Sequence, residues 1–188
     1  TGGILQSLAK KGSKLTKGQK VSLVHFDAHT DCYENLDHFL GAKKSAAHWA
    51  SYLVRQGNVD AKTSTQIGIR GNPRTLDWLK PSYDLGYQVI TMDEFRKIGQ
   101  EESSEMILSR LDDNPIYVTF DLDCLDPTVA PAVANIEPAF KGFSIDEARK
   151  LIQSLKGKNV IGGDVACLMP TKDSPNQITS MVAASIMF

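Results

Sequence analysis

Twice in this chain a short apolar run ends directly on a crowd of carboxylates. Val21-Ser22-Leu23-Val24-His25-Phe26 leads into Asp27-Ala28-His29-Thr30-Asp31, and Ile116-Tyr117-Val118-Thr119-Phe120 leads into Asp121-Leu122-Asp123-Cys124-Leu125-Asp126-Pro127. Runs that are apolar throughout, instead of alternating apolar and polar, belong to strands covered on both faces, as in parallel sheets. Ligands of such sheets gather beyond the carboxyl ends of the strands. The acidic clusters therefore stand where a ligand would be met.

The remaining pattern alternates in the same way. Residues 4–12 read as a helix, 45–55 have helical spacing, and Thr65 to Ile69 and Tyr87 to Thr91 read as strands. Met92 to Leu111 carries one or two amphipathic helices. Ser144 to Leu155 reads as a helix with Asp146 and Glu147 in its first turn, Asn159 to Val165 as a strand, and a last helix begins near Ile178. Strands separated by helices predict an α/β fold of three layers, αβα, around a central, mainly parallel sheet. With 188 residues and no internal repeat or linker, a single domain over 1–188 is expected. Thr1 is not a start methionine and both ends fall within the apolar pattern, so a fragment is expected, truncated at both ends and lacking an N-terminal part.

Asp27, His29 and Asp31 stand at alternate positions and would project to one side of an extended segment; Asp121 and Asp123 repeat that spacing. Carboxylates packed this tightly at the ends of buried strands repel one another unless a cation compensates them. A pair of divalent metal ions is the economical answer. Oxygen-rich ligation with an imidazole suits manganese first, with nickel, iron or cobalt also possible, and argues against a thiolate zinc site. Two ions about 3.5–4 Å apart activate water near neutral pH. The plainer reading is that the aspartates cap turns and the second cluster merely ends a strand.

Charge narrows what such a centre would act on. Lys and Arg total 21 against 22 for Asp and Glu, which leaves no broad basic surface for nucleic acid or anionic lipid. The local run Lys10, Lys11, Lys14, Lys17 and Lys20 has no aromatic residues between and reads as a solvated loop. A small polar substrate fits better. Cys32, Cys124 and Cys167 are odd in number and lack paired-ligand spacing, so a reducing, cytoplasmic location is expected. No apolar stretch is long enough to span a bilayer. A thiolate nucleophile at Cys124 or Cys167 has no base beside it in sequence, and burial is the expected role of both.

The segments HFDAHTD (25–31) and DLDCLDPTVAP (121–131) resemble the two metal-binding signatures of the ureohydrolases, the arginase and agmatinase family, and Gln66-Ile67-Gly68-Ile69-Arg70 resembles their intervening strand. The resemblance covers nearly the whole chain and is nearest to agmatinase-like members. It implies an arginase-like fold and a binuclear amidinohydrolase. Asp27 and Asp121 would bridge both metals, His29 and Asp123 would complete one site, and Asp31 would bind the other and take part in catalysis. A further histidine ligand comes, in that family, from a Gly-Gly-Asp-His segment that would precede Thr1. The family's proton shuttle is a histidine after the first motif; His48 is the candidate here, with His38 second.

Two departures bear on substrate. Gly163 to Pro170 resembles the family's last strand, but Cys167 stands where a glutamate normally meets the guanidinium, with Asp164 as a nearby carboxylate. Residues 132–138 also lack the glycines usual after the second motif. Losing a charge-assisted, bidentate partner pushes the expected substrate from agmatine or a guanidino acid toward a substituted guanidine or biguanide. The products would be urea or a substituted urea plus an amine. The alternative is a non-catalytic subunit of the same fold that assembles with an active homologous partner. By resemblance, trimers or hexamers are expected.

Overall fold

The computed structural model describes residues 1–10, 13–33, 45–71, 75–137 and 141–188. The apolar runs become strands β1 (Ser22–Phe26), β2 (Thr65–Ile69), β3 (Gln88–Thr91), β4 (Ile116–Asp121) and β5 (Val160–Ala166). They form one parallel sheet in the order β3-β2-β1-β4-β5. The helices are α1 (Gly2–Leu8), α2 (Trp49–Arg55), α3 (Lys80–Leu85), α4 (Met92–Arg110), α5 (Ile145–Gln153) and α6 (Ile178–Met187).

Strand periodicity divides the core into two. From β1, Val24 and Phe26 enter a cluster with Phe95 and Ile107 of α4, Leu151 of α5 and Val182 of α6. Leu23 points the other way, into a cluster with Leu5 of α1 and Leu53 of α2. Helices thus cover both faces, and the expected three-layer αβα arrangement is what the chain forms. Phe26, Phe95 and Phe143 are fully or almost fully buried and meet at ring distances of 4.8–6.4 Å; burying each such side chain contributes roughly 1.5–3 kcal/mol.

Local signals set the element ends. Ser144 and Glu147 close a reciprocal capping box on α5, and Arg96 of α4 pairs with Glu147 and donates to Gly142 O at 2.7 Å. The expectation of one or two helices after Met92 resolves as two helical segments of α4 that meet at a kink at Gly99, which adopts φ 85°. Helix α3 was not anticipated, although Pro81 at its start and left-handed Gly86 at its end mark it. No helix among the described residues is long and apolar enough to cross a membrane.

Strand order fixes the place of the site. The chain moves outward from β1 through β2 to β3, then returns to lay β4 on the other side of β1. The reversal opens a crevice between the carboxyl ends of β1 and β4. The two strands pair without slip from Ser22 with Ile116 to Phe26 with Phe120, which sets Asp27 level with Asp121.

Candidate metal centre

Both acidic loops turn as soon as they leave the sheet, which corrects the expectation of extended segments with alternate side chains on one side. In the first, Asp27 Oδ1 accepts from the His29 backbone N–H at 2.7 Å and Asp31 is left-handed at φ 50°. In the second, residues Leu122–Cys124 form a 3-10 turn whose N-cap is Asp121, with Oδ1 accepting from the Asp123 N–H at 3.0 Å. The capping geometry of the plainer reading is therefore present, and it is this geometry that gathers the carboxylates. Asp123 Oδ1 accepts from the Ala28 N–H at 3.1 Å and ties one loop to the other.

Strand β2 supports both loops from one side. Arg70 donates to the carbonyls of Asp123, Cys124 and Leu125 at 2.7, 3.2 and 3.1 Å. Gly68 has φ 99°, and a Cβ there would lie 2.9 Å from Asp27 O and 3.2 Å from Cys124 Cβ. Only a residue without a side chain lets β2 come this close to both loops.

Donor atoms of Asp27, His29 and Asp123 lie within 4.8 Å of one another, as do those of His25, Asp27 and Asp31. His29 Nδ1 is 3.1 Å from Asp123 Oδ2 and 3.3 Å from Asp27 Oδ1, while its Nε2 is 2.7 Å from Glu137 Oε1. Burial disfavours a proton on His29, yet its hydrogen bonds to Asp123 and Asp27 push its pKa up to about 12. Burial likewise opposes charge on Asp27, but hydrogen bonds from His25 and His29 outweigh it and hold the group below the usual carboxylate range. The other aspartates go the opposite way. Burial, then the charges of Asp27 and Asp123, raise Asp121 to about 8. Burial and the charge of Asp27 raise Asp31 and Asp123 as well.

Asp27, His29, Asp31, Asp121, Asp123 and Cys167 all line one cleft of about 620 Å³. Cys167 is half-buried and left-handed at φ 65°; burial and the neighbouring charge of Asp121 push its thiol pKa well up, so it stays S–H. Cys124 is fully buried, also with a raised pKa. Asp164 does not line this cleft. Its oxygens accept from Tyr117 Oη at 3.0 Å, Thr119 Oγ1 at 2.8 Å and Thr1 Oγ1 at 3.0 Å. His48 is not in the cleft lining either; its Nδ1 is 3.1 Å from Ser45 Oγ, and Ser45 borders both the cleft and a second hollow that His48 lines. His38 falls outside the described residues.

Three residues that matter were not singled out from the sequence as parts of the centre. His25 hydrogen-bonds Asp27 Oδ2 at 2.8 Å, and its signal was an ionisable residue inside an apolar strand. Trp49 donates from Nε1 to Asp31 Oδ2 at 2.6 Å, and Glu137 reaches His29 across 108 positions. Neither contact leaves a local pattern.

Four carboxylates and one imidazole, with three carboxylates destabilised as anions by burial, are the donor set a pair of hard divalent cations would relieve. Among the described residues no lysine or arginine side chain forms an ion pair with Asp27, Asp31, Asp121 or Asp123. The residues fit such ions.

Comparison with known proteins supplies the lineage. A model described as the arginase family matches residues 1–188. An agmatinase of Serratia proteamaculans is 32% identical over 167 residues, which span 89% of this chain and 49% of that protein. An agmatinase of Escherichia coli is 34% identical over the same span. Among solved structures, the proclavaminate amidino hydrolase of Streptomyces clavuligerus superposes with a TM-score of 0.81 at 26% identity, covering 98% of this chain and 57% of that one. A hypothetical agmatinase from Burkholderia thailandensis gives 0.80 at 32% identity, covering 99% and 52%. The chain spans about half the length of the curated relatives it matches.

Proposed function

The chain belongs to the arginase family, and from that premise we propose that it carries the metal centre of a hydrolase acting on linear amidines. The reaction is hydrolysis of a guanidinium-type C–N bond to urea, or a substituted urea, and an amine. The observation that carries this reading is the convergence of Asp27, His29, Asp31, Asp121 and Asp123 on one cleft at the crevice between β1 and β4. Asp27 and Asp121 would be shared by two ions, with His29 and Asp123 completing one site and Asp31 the other. Manganese is the ion we favour, nickel the next. When bound, the ions supply Lewis acidity and water that ionises near neutral pH.

The remaining work falls to the chain's own groups. Asp31, anchored through one oxygen by the Trp49 indole N–H, accepts a proton from the attacking water. His48 gives a proton to the departing amine through the Ser45 hydroxyl, which borders the cleft, and the cycle closes when Asp31 loses its proton to solvent and His48 regains one from it. Cys167, a neutral thiol on the cleft wall, offers the substrate no charge; this favours a guanidinium that is substituted or a biguanide over agmatine, the substrate that the relatives' name points to. Assembly into trimers or hexamers is part of the same proposal, and light scattering on the whole protein checks it.

The test combines metal analysis of the whole protein with release of urea, substituted urea and amine from a panel of agmatine, guanidino acids, alkylguanidines and biguanides. Bound divalent metal and release from at least one compound are expected. A protein that takes up no divalent ion and releases neither urea nor a substituted urea from any of them overturns the reading. His48→Ala is expected to lower turnover with metal content unchanged.

A further inference from the structure

We infer that His25 and Trp49 are a coupled pair of positioning residues that orient the Asp31 half of the metal centre; the inference rests on the metal-binding role proposed above for Asp27 and Asp31. The geometry of His25 permits two roles, ligand or hydrogen-bond donor, since a ring nitrogen lies within 4.8 Å of donor atoms of Asp27 and Asp31 and Nε2 is 2.8 Å from Asp27 Oδ2. Its other nitrogen decides between them. The Gln66 amide nitrogen lies 2.6 Å from Thr30 O, and a carbonyl oxygen only accepts, so this end of the amide is its NH2. The same nitrogen is 3.1 Å from His25 Nδ1, which therefore accepts and carries no hydrogen. The ring hydrogen is on Nε2, directed at Asp27 Oδ2 2.8 Å away. His25 is thus a donor that holds a ligand in place.

Trp49 does the same for Asp31. Indole Nε1 only donates, and its 2.6 Å contact fixes Asp31 Oδ2. The backbone is held from the same side, since the Ala50 N–H donates to Asp31 O at 3.2 Å while Asp31 keeps its left-handed φ of 50°. The two donors also touch: the rings of His25 and Trp49 meet edge to face with centroids 5.0 Å apart, within the favourable range for such pairs. Gln66, His25 and Asp27 on one arm, and Trp49 and Asp31 on the other, form a braced frame around one half of the centre. His29 meets this frame at Asp27, whose Oδ1 accepts from the His29 N–H at 2.7 Å, while Glu137 holds the far side of the His29 ring and the Ala28 N–H holds Asp123.

The frame predicts a selective effect. In the whole protein, titrated with Mn²⁺ and followed by the electron paramagnetic resonance of the free ion, Trp49→Phe should weaken one of the two bound ions by about 10- to 100-fold, the usual range for partners behind metal ligands, whereas His25→Leu, which releases the shared ligand Asp27, should weaken both. In Trp49→Phe the other ion should keep its affinity. His25→Gln, whose amide nitrogen can take the place of Nε2, should recover most of the loss, and thermal melting identifies any variant that has simply unfolded. A folded Trp49→Phe or His25→Leu protein that binds both ions as tightly as wild type overturns the inference alone. Equal weakening of both ions by Trp49→Phe also overturns it, because a general loss of structure would do that. Failure of the wild-type protein to bind Mn²⁺ overturns the metal-centre reading and this inference together.

Discussion

For His29 to offer Nδ1 to a cation it must first give up a proton, because Asp123 and Asp27 push its pKa up to about 12. Metal binding should therefore release this proton near neutral pH, together with one from Asp121, whose pKa is raised to about 8, and affinity should fall as the pH is lowered. Calorimetric titration in buffers of different ionisation enthalpy counts those protons; a heat independent of buffer would contradict the assignment. In the metal-free protein the sign is reversed. The folded pKa of His29 lies above its unfolded value of about 6.5, so the stability it contributes is complete below that value and disappears as the pH rises through about 12. Glu137, 2.7 Å from His29 Nε2, orients the ring from behind. Glu137→Gln should weaken the ion held by His29 and Asp123 by about tenfold, with the Asp31 side unaffected, measured by the same Mn²⁺ titration. The aspartates and His29 could be read from spacing because each motif is local. Glu137, 108 positions from His29, could not, since only the fold makes them neighbours.

Strands, with no side-chain period to obscure them, were the elements most legible in the chain. Ile116 to Phe120 is apolar enough to be buried on both faces, and it forms β4 with one residue to spare. The loops were less legible. Alternate spacing in Asp27, His29 and Asp31 suggested an extended segment, but an aspartate side chain competes for the nearby backbone N–H and bends the chain instead. Helix α3 went unseen because its six residues are too few to show a 3.6-residue period. Strand β2 has the sharpest consequence at this scale. Gly68→Ala would set a Cβ 2.9 Å from both Asp27 O and Phe143 Cε2 at a φ of 99°. A cost of about 1–3 kcal/mol is expected, with Mn²⁺ affinity falling alongside stability in urea denaturation. Ser144→Ala removes one arm of the α5 capping box, at a residue that does not line the cleft, and should cost about 1 kcal/mol while leaving metal binding unchanged.

Metal and fold should be coupled across the whole molecule. Asp31, Asp121 and Asp123 are carboxylates that burial makes unfavourable as anions, and bound cations remove that penalty only in the folded state. Chelation should lower the melting temperature, and Mn²⁺ at a hundred times its Kd should restore about 2.7 kcal/mol per site; a melting curve indifferent to chelator and to added metal would contradict this. The unslipped pairing of β1 with β4 carries one more consequence, for how such a chain can change length. Gaining or losing one residue in either strand would turn its side chains to the opposite face and shift one acidic loop against the other by about 3.3 Å. Insertions and deletions should therefore be excluded from these two strands while connections on the far side of the sheet vary freely, and a library of single-residue insertions scored by Mn²⁺ retention would trace β1 and β4 as its two silent gaps.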